Sequence, residues 1–205
     1  MKKLLRIFGF ALVLGLMLAG CKKEDEWDDV TENADTIELS NGTWEEVYKY
    51  SITTDVASMD PKDLAEDPLL AGATGTYKET IKSTTKFKVE DEKITYLSGD
   101  YKSTTTYPDS VDTKTIEAYV NLYNAYYASE GTEISCKGRT VTIKQTFSAA
   151  EIEQMNAKAG TVSKEYSKVP VSGLKTNSKK TKYRYYASVE QNGTKVENEM
   201  TLAKK

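Results

Sequence analysis

The chain has 205 residues, a net charge of −3, 39% hydrophobic residues and no histidine. That length suffices for one domain with a real core. The missing histidine excludes Ser-His-Asp and Cys-His hydrolysis, His-ligated zinc and the usual haem ligand, and two cysteines are too few for a thiolate cluster.

At the N-terminus, Lys2, Lys3 and Arg6 make a positive region, followed by an apolar run from Ile7 to Leu18 broken only by Gly9 and Gly15. This is the layout of an export signal, and the run is shorter than the ~20 apolar residues a membrane span needs. It ends in Leu18-Ala19-Gly20-Cys21, which resembles the lipobox of bacterial lipoproteins. The resemblance implies a signal peptide over residues 1–20 and a lipid on Cys21. It also implies anchorage in the bacterial outer membrane, on the periplasmic or the exposed side. Cys136 then has no partner in the mature chain and reads as a small buried hydrophobe. Without residues 1–20 the chain carries 25 basic and 31 acidic residues. That balance argues against nucleic acid as a partner.

Residues 21–36 read as the lipidated cysteine and a flexible acidic tether, with seven acidic residues between Lys22 and Thr36. Lys23-Glu24-Asp25 within it resembles the string that sends lipoproteins to the cell surface in some Gram-negative lineages. The domain is expected over 37–205. Ile37–Ile52 predicts a strand, and 53–75 a loop holding a short helix at Pro61–Glu66 with Asp60 as its N-cap. Residues 76–107 alternate like a meander, with turns expected at Asp91-Glu92 and Gly99-Asp100. Ile116, Tyr119, Val120, Tyr123, Tyr126 and Tyr127 then fall on one helical face, capped by Asp112 or Thr113 and ended by Gly131.

Glu133–Cys136 and Arg139–Phe147 predict a further strand pair, and Ser148–Glu151 is a capping box opening a helix over 149–159, closed by Gly160. Residues 161–180 read as irregular. Thr181–Glu190 and Thr194–Ala203 flank Asn192-Gly193, which suits a two-residue hairpin turn. Together these elements predict a mainly β domain of about eight antiparallel strands with inserted helices, either barrel or sandwich.

Gly42-Thr43-Trp44, opening the first strand, resembles the Gly-x-Trp signature of lipocalins. The resemblance implies an antiparallel up-and-down β-barrel with one or two inserted helices. It also implies a Trp closing one end, with an Arg from a late strand packed across the indole. Arg184 is the candidate partner of Trp44. The inserted helices, the absence of a helix after the last strand and the lack of a disulfide depart from the family pattern.

No catalytic constellation emerges. Glu45 and Glu46 are strand neighbours pointing to opposite faces, and Gly72–Gly75 lacks the lysine of a phosphate cradle. The acidic residues between Asp55 and Asp67 lack calcium-loop spacing. No metal and no cofactor are expected. Asn41-Gly-Thr43 and Asn192-Gly-Thr194 match the glycosylation sequon but read as turns. Fourteen tyrosines against four phenylalanines supply apolar area with a polar tip. Tyr119, Tyr123, Tyr126 and Tyr127 are a candidate ligand or docking face, weighed against a helix stripe that faces the core. The expected role is binding a small apolar or amphipathic ligand inside a barrel. The alternative is a filled barrel that docks an envelope or host protein.

Overall fold

A computed structural model describes residues 27–30, 37–127, 131–158 and 173–205. The signal segment, Cys21 and Gly160 lie outside the described residues. Among the described residues nine strands form one antiparallel sheet in the order β1-β7-β8-β9-β2-β3-β4-β6-β5. The strands are β1 (Asp28–Asp29), β2 (Gly42–Asp55), β3 (Thr76–Glu90), β4 (Lys93–Thr106), β5 (Thr132–Lys137), β6 (Thr140–Thr146), β7 (Lys175–Thr176), β8 (Lys182–Gln191) and β9 (Thr194–Lys204). Among the described residues three α-helices accompany them: α1 (Pro61–Glu66), α2 (Thr113–Tyr127) and α3 (Ala149–Lys158).

The long hairpins form where the turn chemistry dictates. Asp91 and Glu92 take φ of 49° and 66° between β3 and β4, and Asn192 and Gly193 take 52° and 75° between β8 and β9. Two consecutive left-handed residues match the twist of the flanking strands. The turn expected at Gly99-Asp100 is instead the middle of β4. Glycine is required there because a Cβ would collide with the ring of Phe147. The irregularity in this hairpin is a bulge, where the register moves between Lys86 and Phe87 and leaves Leu97 as the extra residue.

Helix starts follow their caps. Asp60 Oδ1 accepts from Lys62 N at 2.8 Å, with Pro61 at the first turn of α1. Asp112 Oδ2 accepts from Thr115 N at 3.3 Å at the head of α2. Before α3, Glu151 Oε2 accepts from Ser148 N at 2.8 Å and Ser148 Oγ accepts from Glu151 N at 3.3 Å, a reciprocal capping box. Further along α3, Asn156 accepts from Tyr96 N at 2.6 Å and donates to Tyr96 O at 3.0 Å. It thereby replaces the strand partner that β4 lacks beyond the end of β6.

Two departures concern topology. β6 lies between β4 and β5, so the order is not up-and-down throughout. Among the described residues the edge strands β1 and β5 do not pair, so the sheet is not closed there. The first and last long strands nonetheless adjoin, with β2 paired to β9 from Trp44↔Lys204 to Thr54↔Thr194. The stretch read as a tether also contributes structure. Asp28–Asp29 pair with β7, and Val30 N donates to Leu174 O at 3.0 Å. β7 itself lies where an irregular segment was expected.

The core divides in two. One cluster gathers Trp44, Phe87, Val89, Leu174, Met200 and Leu202 at the end of the sheet where β2 begins. The other gathers Val56, Leu70, Tyr77, Tyr107, Ile116 and Val141 at the opposite end, under α2. Trp44 is fully buried, lies opposite Phe87, and donates from Nε1 to Ser40 O at 2.9 Å. Truncating so large a buried side chain costs about 3–5 kcal/mol. Trp44→Ala is therefore expected to lower the unfolding free energy by about that amount, read from the midpoint of a urea titration at unchanged slope.

Candidate functional site

Pairing register places one set of alternate residues on a common packed face. From β2 these are Trp44, Glu46, Tyr48, Tyr50, Ile52 and Thr54, opposite Phe87, Thr85, Ser83, Ile81, Glu79 and Tyr77 of β3. β9 adds Leu202, Met200, Asn198 and Val196, and β4 adds Tyr101 and Ser103. The two ends of this face are the apolar clusters. Its middle is a band of phenols, hydroxyls and carboxylates that is only half-buried at Tyr48, Tyr50, Ser83 and Tyr101.

Hydrogen bonds order this band. Tyr48 OH donates to Asn198 Oδ1 at 2.7 Å, across 150 positions of chain. Glu79 accepts from Tyr77 OH at 3.3 Å and from Ser103 Oγ at 3.4 Å. Tyr107 OH donates to Asp67 Oδ2 at 3.0 Å, tying the loop after α1 to the second cluster. Glu46 is 3% exposed, in register with Thr85 and Leu202.

The polarity of the face has a definite sign. The inward positions of β2, β3, β4, β6 and β8 contain no lysine or arginine. Lys204, opposite Trp44 at the end of β9, is the cation that comes nearest this face in register, and its Nζ donates to Ser40 Oγ at 3.1 Å. The band can therefore take neutral or hydrogen-bond-donating groups and repels anions. Glu79 lies opposite Ile52, six positions along β2 from Glu46. At ~3.3 Å per residue that separation is roughly 20 Å, far beyond the span over which two carboxylates share acid–base work.

The sequence-predicted residues are distributed differently. Trp44 sits in the core, but the ring under the Arg184 guanidinium is Trp27, 4.4 Å from Cζ to centroid. The reason is parity. Tyr183 and Tyr185 face the core with Leu202 and Met200, so Arg184 between them points to the opposite face from Trp44. The aromatic neighbour of Trp44 is instead Tyr183, at 6.2 Å. The Gly42 of the tripeptide has its own role, since a Cβ there would come 2.5 Å from Lys204 Cε.

In α2, Ile116 and Val120 are buried, while Tyr119 and Tyr123 are half-buried with ring centroids 6.3 Å apart. Tyr119 packs on the second cluster, which makes that end of the stripe a core face. Tyr126 and Tyr127 fall within α2, and their side chains lie outside the described residues. Cys136 is half-buried against the second cluster, its Sγ donating to Gly138 O at 3.3 Å.

The polar band of β2, β3, β4 and β9 did not figure among the sequence candidates. Its signal was the lysines at Lys78, Lys82, Lys86 and Lys88, whose even positions mark the solvent face of β3 and so its odd positions as inward. Among the described residues no group of His, Cys, Asp or Glu is arranged to hold a metal ion, and no helix is long and apolar enough to cross a membrane. Comparison with protein-family models, with curated proteins and with solved structures gave no match.

Burial pushes the Tyr101 phenol up to about 12 and also raises those of Tyr77 and Tyr107, the latter two helped by Glu79 and Asp67. A raised phenol is neutral in the fold when the unfolded chain has already ionised, so the unfolded state binds fewer protons above the ordinary tyrosine pKa. Stability is expected to be full below about pH 10 and to fall as pH rises beyond it. Urea midpoints across that range measure the fall, and Tyr101→Phe is expected to flatten it. For the stacked pair, a double-mutant cycle of Trp27→Ala and Arg184→Ala is expected to give a coupling of about 0.5–1 kcal/mol. A coupling of zero would remove the contact from the account of how the N-terminal segment docks.

Proposed function

We propose that this chain is a lipid-anchored lipoprotein of the bacterial envelope whose lipocalin-like domain binds a small amphipathic ligand without catalysis. The lipobox-like ending at Cys21 supports the anchor. Gly42-Thr43-Trp44 at the start of β2, and the adjacency of the first and last long strands, support the lipocalin-like reading. The observation that carries ligand binding is the half-buried band between two packed clusters, centred on Tyr48, Tyr50, Tyr101 and Asn198.

The band favours a particular ligand polarity. Apolar side chains such as Ile81, Val196 and Met200 border it, so an apolar body gains by burial. Phenols and the Glu79 carboxylate can satisfy a donating head group, whereas an anionic head would meet no cation there among the described residues. Binding sites of this kind hold mostly apolar walls and a few placed polar groups.

Residues 22–205 titrated with the uncharged dye Nile red should show saturable, blue-shifted fluorescence, whereas an anionic dansyl fatty acid should bind at least several-fold more weakly. Tyr50→Trp, which adds bulk to the band, is expected to reduce dye binding with little change in the urea midpoint. If neither probe binds and native mass spectrometry of protein purified gently from its own cells shows a bare chain, the interior is filled. The docking-protein alternative then takes its place.

A further inference from the structure

The face of the sheet opposite the candidate site carries a charge pattern visible only in register. Lys49 lies opposite Lys82, Lys82 opposite Lys102, and Lys102 opposite Lys144, so four lysines form one row across four adjacent strands. Glu199 terminates the row beyond Lys49, and Glu133 terminates it beyond Lys144. The end lysines are paired, at 3.9 Å to Glu199 and 2.9 Å to Glu133. Lys82 and Lys102, in the middle, are exposed and have lysine on both sides. The nearest acidic residue in register is Asp100, one row away on β4.

Such a row opposes stability. Neighbouring strands are about 4.8 Å apart, and like charges directly opposite one another repel. Exposed lysines needed only for solubility would serve as well interspersed with acidic residues, as they are elsewhere on this face, where Lys86 meets Glu45 at 3.7 Å. Immediately beside the lysines runs a second row in the same register, Ser51, Thr80, Thr104, Thr142 and Ser135. At one end Ser51 is buried and shares a hydrogen bond with Thr80, Oγ to Oγ1 3.2 Å, so the row presents Thr80, Thr104, Thr142 and Ser135 to solvent.

We propose that this face binds an anionic polysaccharide, its carboxylate or sulfate groups on the lysine row and its sugar hydroxyls on the serine and threonine row. Charge complementarity calls for a polyanion. The adjoining hydroxyl row selects a carbohydrate, because single-stranded nucleic acid is held by stacking on successive aromatic side chains, and in register with these rows on β2 to β6 and β8 the one aromatic is Tyr186, set beyond Glu199 on β8. A flat anionic lipid surface would meet Glu133, Glu199 and Asp100 together with the lysines, whereas a short stretch of a narrow strand can lie on the four lysines between Glu199 and Glu133 and clear of Asp100. The proposal is independent of the ligand on the other face.

The test is affinity electrophoresis of the full lipidated chain in non-ionic detergent, through gels holding polygalacturonate, dextran sulfate or neutral dextran. The two polyanions are expected to retard the protein and neutral dextran to leave it unaffected. Lys82→Gln with Lys102→Gln should weaken retardation roughly tenfold or more and reduce its salt dependence. The same charge change off the row, Lys62→Gln with Lys158→Gln, should not. Thr80→Val with Thr104→Val should weaken polygalacturonate binding several-fold while all four lysines remain. Folding of the lysine variant is checked by its melting temperature, expected to equal or exceed that of the parent at low salt because repulsion is relieved. The proposal fails if no polyanion retards the chain, if both lysine pairs act alike, or if the threonine variant binds as the parent does. It also fails if single-stranded DNA or phosphatidylglycerol in the micelles competes equally at matched charge.

Discussion

The hydrogen-bonded ladder between β2 and β9 is the constraint on which the rest of this structure depends. It joins the first long strand of the domain to the last, in unbroken register from Trp44↔Lys204 to Thr54↔Thr194. β2 is thereby paired on both edges, and every long strand inherits its inward and outward faces from that alignment. A slip of one residue would send Trp44 and Glu46 to solvent and bring Glu45 and Lys49 inward. The cost of burying lysine without a partner makes such a slip prohibitive. The buried indole, its bond to Ser40 and the glycine that admits Lys204 all sit at the start of this ladder.

With the faces assigned, the molecule separates its charges. Glu46, Glu79 and most of the strand phenols occupy the packed face, and the lysines of β3 and β4 all point outward, where Glu45, Asp100, Glu133 and Glu199 flank them. This explains why a chain of modest net charge presents two surfaces of opposite character. The packed face is apolar at both ends and polar between them, because 14- and 15-residue strands are longer than either cluster can cover. Rising at ~3.3 Å per residue, they leave a half-buried central stretch between the two clusters.

Much of this was legible along the chain, and what was missed has a common cause. The hairpin at Asn192-Gly193, the cap of Asp60 on α1, and the Ser148–Glu151 box are each decided within a few residues. Sterics and local hydrogen bonds at those positions leave few alternatives. Gly99-Asp100 misled because a glycine beside an aspartate signals a turn locally, whereas here the glycine makes room for Phe147, 48 positions away. β7 was missed because two residues carry no periodicity. The pairing of Arg184 with Trp44 failed because chain order does not say which face of β8 an odd or even residue takes.

The sequence by itself determined the β character of the domain, the turns at Asp91-Glu92 and Asn192-Gly193, the helix caps, and the placement of Trp44 at the head of the first long strand. These follow from nearest-neighbour sterics and from side-chain alternation, which act over a few residues. Tertiary structure alone decided that the sheet leaves its edges apart among the described residues, that Arg184 stacks on Trp27, and that Tyr48 meets Asn198. It alone decided that Lys49, Lys82, Lys102 and Lys144 stand in one row. Each of these joins residues tens of positions apart, or more, through strand register, and register is set by how whole faces are buried.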